Sequence, residues 1–265
     1  PLTIVFVLSC ARSGSSLLQL CLNVHEAIYA GQELYLLMFD TMAERREVLE
    51  KEKTPYLMNG LLAHLCELAP CRFPEAASRM SDIGDSYATW QCYEMLQTLA
   101  HPRRLADKTP RNIDSLRFLQ KSLLIFRDPR YIHLVRHPYV QIDSHINLNQ
   151  RMGFNDSWAN FEKAWVSGNQ NVLNFFNVIF EESCTSLKYE MLVSNTEHAM
   201  RNICDHLHLT WESRMCTPYD TDSVASFRRD TDGHRHGVNV AVTDPQLLRR
   251  KQIDPKQAEK WREVT

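Results

Sequence analysis

Short apolar runs alternate with amphipathic stretches along this chain, a pattern typical of an α/β protein with a parallel sheet. The runs are too short for helices, so each is predicted to be a buried strand. The predicted strands are 3–9, 104–108, 130–136 and, less regularly, the stretch leading into 185–192. Apolar spacing between them indicates helices that would cover the sheet faces. The predicted helices are 15–24, 34–52, 87–100, 157–176 and 254–264.

No repeat, low-complexity tract or linker interrupts this pattern, so we predict a single domain over 1–265. Two zones depart from it. Residues 53–82 are predicted to form a helical insertion near the site. The segment 228–247, rich in Asp, Gly and charge, is predicted to form a mobile loop. Both zones are candidates for a flap over a substrate.

Composition narrows the protein class. Of the 265 residues, 44% are hydrophobic and 23% charged, and the net charge of −2 gives no global reason to expect nucleic-acid binding. No window is apolar enough to predict a membrane span. The chain begins at Pro1 without the pattern of a signal peptide. We therefore expect a cytoplasmic domain cut from a longer polypeptide.

The cysteines and histidines give no sign of a metal site. None of the eight cysteines forms a C-x-x-C pair, and a domain of this size needs no disulfides, so reduced thiols are expected. The eleven histidines include His-Arg-His at 234–236 but no spacing typical of metal ligands. No metal is therefore predicted.

The first predicted strand runs into Arg-Ser-Gly-Ser-Ser, which resembles an anion-binding loop before a helix. Gly14 permits the tight turn, and Arg12 adds a charged guanidinium that can donate two parallel hydrogen bonds. Hydroxyl donors come from Ser13, Ser15 and Ser16. A Walker loop for nucleoside triphosphates is not predicted, because Ser15 replaces its lysine and its first glycine is missing. Alone, the motif fits a serine-rich turn without a ligand equally well.

A second strand-to-helix junction has similar features. Arg136 ends the strand 130–136, and Ser144 follows two helical turns later. A charged arginine at the end of a buried strand needs a partner, because burying it unpaired is costly. The pair is therefore predicted to bind a phosphate, with an arginine salt-bridged to a helix as the alternative.

Taken together, these motifs resemble the nucleotide-binding signature of sulfotransferases, which use 3′-phosphoadenosine 5′-phosphosulfate (PAPS) as sulfuryl donor. The resemblance rests on R-S-G-S-S and on L-V-R-H-P with a serine eight residues after its arginine. The stretches ADKTPRN and LKYEMLV resemble two further family elements in the expected order. The resemblance covers about the whole chain. It implies a P-loop-like parallel sheet flanked by helices, PAP as product and no metal.

The resemblance also implies roles for individual residues. Arg12 and its loop would hold the 5′-phosphosulfate, and Arg136 with Ser144 the 3′-phosphate. Lys108 follows a predicted strand, where open α/β sheets place ligand contacts, and would contact the bridging oxygen of the scissile bond. Tyr189 would contact the nucleotide.

Transfer of a sulfuryl group to a hydroxyl also requires a base. Glu33 lies 21 residues after Arg12, as in similar sulfotransferases that act on tyrosyl proteins, and is the candidate. A surface carboxylate is the alternative, and Gln32 stands where related enzymes often have another acid. Because other sulfotransferases use histidine, several histidines remain rivals. They are His25, His137, His145, His234 and His236.

One expected phosphate contact is missing. The family sometimes has a basic residue four positions after the serine, where this chain has Leu148. A late basic cluster is the candidate replacement, although such clusters are usually solvated surface. It consists of Arg228, Arg229, Arg249, Arg250 and Lys251.

The segment 33–49, ELYLLMFDTMAERREVL, resembles the sulfotransferase domains of polyketide synthases and terminal-olefin synthases. There a β-hydroxyacyl chain on an acyl carrier protein is sulfonated. A thioesterase then hydrolyses the chain, and decarboxylation with loss of sulfate gives a terminal alkene. The resemblance implies an acyl carrier protein as partner and a neighbouring thioesterase domain. Carrier proteins are acidic, so Arg103–Arg104 or the late basic cluster is expected to form the docking rim.

Two alternatives stay open at this point. One is a PAPS-dependent sulfotransferase for a tyrosyl peptide, carbohydrate or small alcohol. The other is a nucleotide kinase or a nucleotide-binding module on the same fold, which would bind ATP with Mg²⁺. The missing Walker lysine favours the 3′-phosphorylated nucleotide instead.

Overall fold

The computed structural model describes residues 3–52, 59–69, 75, 78–79, 82–151, 153, 155–220 and 251–264. The predicted mobile loop 228–247 and much of the predicted insertion 53–82 lie outside the described residues. None of the helices described is long and apolar enough to cross a membrane.

The described chain forms a five-stranded sheet in which neighbouring strands pair in parallel. The strands are β1 (Ile4–Leu8), β2 (Ile28–Tyr29), β3 (Arg104–Asp107), β4 (Arg130–Val135) and β5 (Cys184–Lys188). Their order in space is β2-β3-β1-β4-β5, which places the first strand at the centre. The predicted α/β class with a parallel sheet is confirmed.

Helices cover both faces of this sheet. They are α1 (Ser15–Asn23), α2 (Met42–Lys51), α3 (Asn59–Leu68), α4 (Thr89–Ala100), α5 (Leu116–Ile125), α6 (Pro138–Arg151), α7 (Trp158–Phe176), α8 (Tyr189–Ser194) and α9 (Thr196–Leu207). Several begin at a side chain that accepts a backbone N–H of the first turn, which satisfies a donor that the helix leaves unpaired. These capping residues are Thr41, Ser115, Ser157 and Asn195.

The core lies on the two sides of the sheet. In β1, Ile4, Phe6 and Leu8 pack into one hydrophobic cluster, whereas Val5 and Val7 pack into the other. Successive strand residues point to opposite faces, and both faces of this central strand are covered. The continuous apolar run in the sequence follows from that position.

Two predicted elements are wrong in part. The helix predicted over 34–52 begins only at Met42, because Thr41 caps α2 and the backbone of 34–35 is held in a non-helical turn. The strand predicted in the stretch leading into 185–192 begins at Cys184 and ends at Lys188, and Tyr189 begins α8.

Two further elements differ from the prediction in their type. The two-residue strand β2 was not predicted, since it is too short to show a period. The helix predicted over 254–264 is instead a pair of 3₁₀ turns, Pro255–Ala258 and Lys260–Glu263. In the second turn Trp261 stacks on His137 at 4.9 Å between ring centres. This tertiary contact fixes the segment on α6.

Candidate active site

The predicted site residues follow the carboxyl ends of the five strands. The loop 10–14 follows β1, Glu33 lies beyond β2, Lys108 follows β3, Arg136 follows β4 and Tyr189 follows β5. Because the strands are parallel, these ends meet at one edge of the sheet, where open α/β sheets bind ligands. A cavity of about 900 Å³ opens there. The sheet thus brings together side chains that are far apart in sequence.

The loop after β1 brings its backbone against Tyr189. Gly14 has φ 87° and is the N-cap of α1, so no side chain caps the first N–H groups of this helix. A Cβ added to Gly14 would lie 2.2 Å from Cδ2 of Tyr189, so glycine is required here. Ser15 and Ser16 line the cavity, whereas Ser13 is buried and is absent from its lining. The helix N-terminus that faces the cavity suits an anion.

The two predicted phosphate sites form one connected cluster. Nε of Arg12 donates to Oγ of Ser144 at 3.1 Å. Nη1 of Arg136 donates to the carbonyl of Arg12 at 3.0 Å, and its guanidinium lies 4.3 Å from the centre of the Tyr189 ring. Arg12 therefore lies between the two predicted sites and contacts the serine that the sequence assigns to the other phosphate.

Glu33 and Lys108 are in direct contact. Nζ of Lys108 lies 2.5 Å from Oε1 of Glu33, and only 4% of the lysine is exposed. The hydroxyl of Tyr35 donates to Oε2 of Glu33 at 2.7 Å. Glu33 and Tyr35 line the cavity. The carboxylate therefore faces the cavity while both of its oxygens accept hydrogen bonds.

A buried network ties the end of β3 to the turn after Glu33. The Asp107 carboxylate accepts from the hydroxyls of Thr109 and Tyr93, each at 2.6 Å, and burial raises its pKa. Oγ1 of Thr109 in turn accepts the N–H groups of Leu34 and Tyr35 at 3.0 and 3.3 Å. The position of Glu33 relative to Lys108 is therefore set by hydrogen bonds in the core.

Among the rival bases in the described residues, His145 lines the cavity. It stacks on Phe161 at 4.2 Å, and its pKa is lowered by burial and by the charge of Arg12. His25 lies in the turn after α1 and contacts a backbone carbonyl, and His137 stacks on Trp261, so both are occupied elsewhere. The histidines at 234 and 236 lie outside the described residues.

Three cationic residues that were not predicted as site residues line the cavity, and Arg111 is one of them. Leu148 lines it as well, and Arg151, one turn later on α6, adds a guanidinium. Lys260 comes from the second 3₁₀ turn. The spacing of three residues from Leu148 was a signal for Arg151, but nothing in the sequence indicated Lys260. Four residues of the predicted basic cluster lie outside the described residues, and Lys251 is exposed and absent from the lining.

Arg103 and Arg104, one of the two candidates for the docking rim, do not border this cavity. Both residues stand at the amino end of β3, whereas the cavity lies at the carboxyl end. The Arg103 guanidinium packs on the Tyr29 ring, and Arg104 donates to the carbonyl of Leu207. A rim at the cavity mouth must come from other residues.

Charge around the cavity favours an anionic ligand. The described lining carries five cationic side chains against three carboxylates. The cations are Arg12, Arg111, Arg136, Arg151 and Lys260, and the carboxylates are Glu33, Asp114 and Asp143. Within the described residues, no group of three or more His, Cys, Asp or Glu side chains could hold a metal ion.

Comparison with known proteins identifies a family that the chain matches. A model described as the sulfotransferase family matches residues 5–213. Two solved structures are 31% identical to the chain and cover all of it. They are a sulfotransferase domain from the curacin biosynthetic pathway (TM-score 0.86, 92% of that chain) and one from the Synechococcus PCC 7002 olefin synthase (TM-score 0.87, 89% of that chain).

More distant matches agree with the fold. A mouse sulfotransferase complexed with PAP has a TM-score of 0.52 at 15% identity, covering 99% of this chain and 82% of that one. A curated relative, an uncharacterized protein of Aquifex aeolicus (strain VF5), is 22% identical over 224 residues, which is 82% of this chain. The chain spans only 27% of that relative's length.

Proposed function

Since the chain belongs to the sulfotransferase family, we propose that it transfers a sulfuryl group from PAPS to the β-hydroxyl of an acyl chain on an acyl carrier protein. When bound, PAPS supplies the activated sulfuryl group, and PAP is the product. The observation that carries the proposal is the contact of the buried Lys108 with Glu33, which lines the same cavity as the loop 10–14.

The residues at this edge fit such a donor. Gly14 leaves the N-terminus of α1 open to the cavity, and Arg12 lies within reach of the same space. Arg136 and Tyr189 would hold the 3′-phosphate and the nucleotide, together with Ser144. We assign the phosphate contact missing at position 148 to Arg151 or Lys260. The positive charges of these side chains favour the binding of an anionic nucleotide at short range.

In the transfer step, Glu33 accepts the proton of the acceptor hydroxyl, which makes the oxygen a better nucleophile. Lys108 would offset the negative charge that develops on the leaving phosphate oxygen. The chain otherwise acts by positioning, as enzymes of phosphoryl transfer do. Arg12 neutralises charge on the donor.

The acyl acceptor is supported by two features. Full-length similarity at 31% identity relates this chain to sulfotransferase domains of the curacin pathway and of an olefin synthase. In addition, apolar side chains of the cavity wall, among them Ile113, Phe161 and Trp165, suit an acyl chain better than a carbohydrate. Sulfonation would prepare the chain for decarboxylation to a terminal alkene, because sulfate is a better leaving group than hydroxide. A tyrosyl peptide or a small alcohol is the second candidate.

The acceptor is tested by mass spectrometry of matched hydroxyl compounds incubated with PAPS. We expect one added SO₃ on a β-hydroxyacyl chain linked to a carrier protein, and none on the same free acid. Equal sulfonation of free small alcohols or of a tyrosyl peptide would contradict the carrier-linked acceptor.

The base is tested by Glu33→Gln, which keeps the size of the side chain but removes the proton acceptor. We expect PAP binding to survive and turnover to fall by at least about 100-fold. Glu47→Gln, at an exposed position of α2, is the matched control and should retain full activity. Retained turnover in Glu33→Gln would transfer the base role to a histidine, with His145 the first to test.

A further inference from the structure

Tyr35 lies two residues after Glu33 and lines the same cavity. It donates its hydroxyl hydrogen to Oε2 of Glu33, while Lys108 holds Oε1. The two oxygens of one carboxylate thus have different partners. Rotation of the carboxylate would break both hydrogen bonds, so the pair of contacts defines its orientation.

The backbone of Tyr35 is unusual for such a residue. Its φ of 50° lies in the left-handed region, which bulky side chains rarely adopt. A conformation of this kind persists only where the surrounding structure holds it, and it is frequent in active sites. Only 6% of Tyr35 is exposed, so its hydroxyl has little freedom to move.

The surrounding contacts account for this backbone. Arg45, 1% exposed, donates from Nε to the carbonyl of Tyr35 and from Nη2 to that of Leu34, each at 2.8 Å. Burial lowers the pKa of Arg45 to about 10. Oγ1 of Thr109 accepts the N–H of Tyr35. The turn is therefore held at both its N–H and its C=O groups, independently of the hydroxyl.

From this arrangement we propose that Tyr35 is a positioning residue for the catalytic base: its hydroxyl holds the Glu33 carboxylate in the orientation that receives the acceptor's proton. The inference rests on the proposed function, because it assumes that Glu33 is the base. Arg45 and Thr109 keep the Tyr35 hydroxyl at that place. In a purely structural role, Tyr35 would only fill the cavity wall, and loss of its hydroxyl would lower stability but not turnover.

The test is Tyr35→Phe, which removes one oxygen and keeps the ring. We expect kcat to fall about 10- to 100-fold, since small displacements of a catalytic group cost that much. The KM for PAPS and the PAP affinity by calorimetry should stay within about twofold of the original protein, because the anion-binding loop is untouched. A crystal structure of the variant should show the Glu33 carboxylate rotated.

Tyr29→Phe is the matched control. Tyr29 is also buried and donates its hydroxyl hydrogen to a different carboxylate, at Oε2 of Glu67, at 3.0 Å. The Tyr29→Phe variant should lose about as much stability as Tyr35→Phe, but it should keep the kcat of the original protein. Arg45→Lys is a second variant, useful if Tyr35→Phe folds poorly, and should lower kcat with unchanged PAP affinity.

The outcomes separate this inference from the proposed function. An inactive Glu33→Gln together with full kcat in Tyr35→Phe would overturn the role of Tyr35 alone. Full kcat in Glu33→Gln would overturn the base itself. An equal loss of kcat in Tyr35→Phe and Tyr29→Phe would also overturn the inference, because the effect would then follow stability.

Discussion

At the scale of single residues, Arg136 shows how one side chain joins several parts of the site. Its guanidinium donates to the carbonyl of Arg12 and lies over the ring of Tyr189, and 9% of the residue is exposed. The carbonyl contact supports the left-handed backbone of Arg12, whose φ is 68°. A phosphate near this group would meet a cation that is already oriented.

We predict that Arg136→Ala weakens PAP binding by about 10- to 100-fold, because a charge-assisted hydrogen bond to phosphate and support of the loop are both lost. Isothermal calorimetry measures the effect. Arg136→Lys should recover part of the affinity, since lysine keeps the positive charge but lacks the planar guanidinium that donates two hydrogen bonds. Arg127→Ala, at an exposed position, is the control. Unchanged affinity in Arg136→Ala would rule out the phosphate role.

The sequence predicted which residues lie at the candidate site, but it did not predict which of them are in contact. Strand-end placement indicated Arg136 and Lys108, because a cation beside a buried strand needs an anionic partner. The hydrogen bond between Arg12 and Ser144 joins residues 132 positions apart and depends on the whole fold. Tyr35 stands among apolar residues and is typical of a core aromatic, so nothing in the sequence marks its hydroxyl.

At the scale of elements, the turn that carries Glu33 is held from several sides. In α1, Gln19 donates to the carbonyls of Ala30 and Gly31. From α3, Nε2 of His64 donates to the carbonyl of Gln32 at 2.7 Å. A Cβ added to Gly60, at the start of α3, would lie 1.7 Å from the Glu33 carbonyl oxygen. Helix α3 therefore packs its backbone directly against the turn.

We predict that Gly60→Ala displaces this turn, because a Cβ cannot approach a carbonyl oxygen so closely. Stability should fall by about 1–3 kcal/mol, as for other overpacked sites. Turnover should fall while PAP affinity, which depends on another loop, is retained. Gly84→Ala is the control, since a Cβ there meets no atom within 4 Å. Equal turnover in the two variants would show that α3 does not position the turn.

Element prediction succeeded where a local pattern decided the structure. Strand β1 is a continuous apolar run, because a sheet covered on both faces requires one at its centre, and β4 is largely apolar. The sequence from 34 to 41 has the composition of a helix, yet its first residues are held in a non-helical conformation, because Arg45 donates to the carbonyl of Tyr35 and Thr109 accepts the N–H of Leu34. Tertiary contacts override propensity there, and this is the part of the chain that carries the candidate base.

At the scale of the whole molecule, the fold buries ionisable groups against the sheet. Burial lowers the pKa of His64 to about 4 and also lowers the pKa of His133. These imidazoles are neutral in the folded protein near neutral pH. Unfolding exposes them to water, where a histidine has a pKa near its reference value of about 6.5.

The direction of the pH dependence follows. Between about pH 6.5 and pH 4 these histidines bind more protons in the unfolded chain than in the folded one, so their contribution to the free energy of unfolding falls as the solution is acidified. The slope is at most about 1.4 kcal/mol per pH unit for each such histidine. Urea denaturation at pH 7.5, 6 and 5 measures it. His64→Gln should show a shallower fall, whereas His198→Gln, at an exposed position of α9, should follow the original protein. A slope that His64→Gln leaves unchanged would contradict this assignment, and the acid sensitivity would then belong to another buried group.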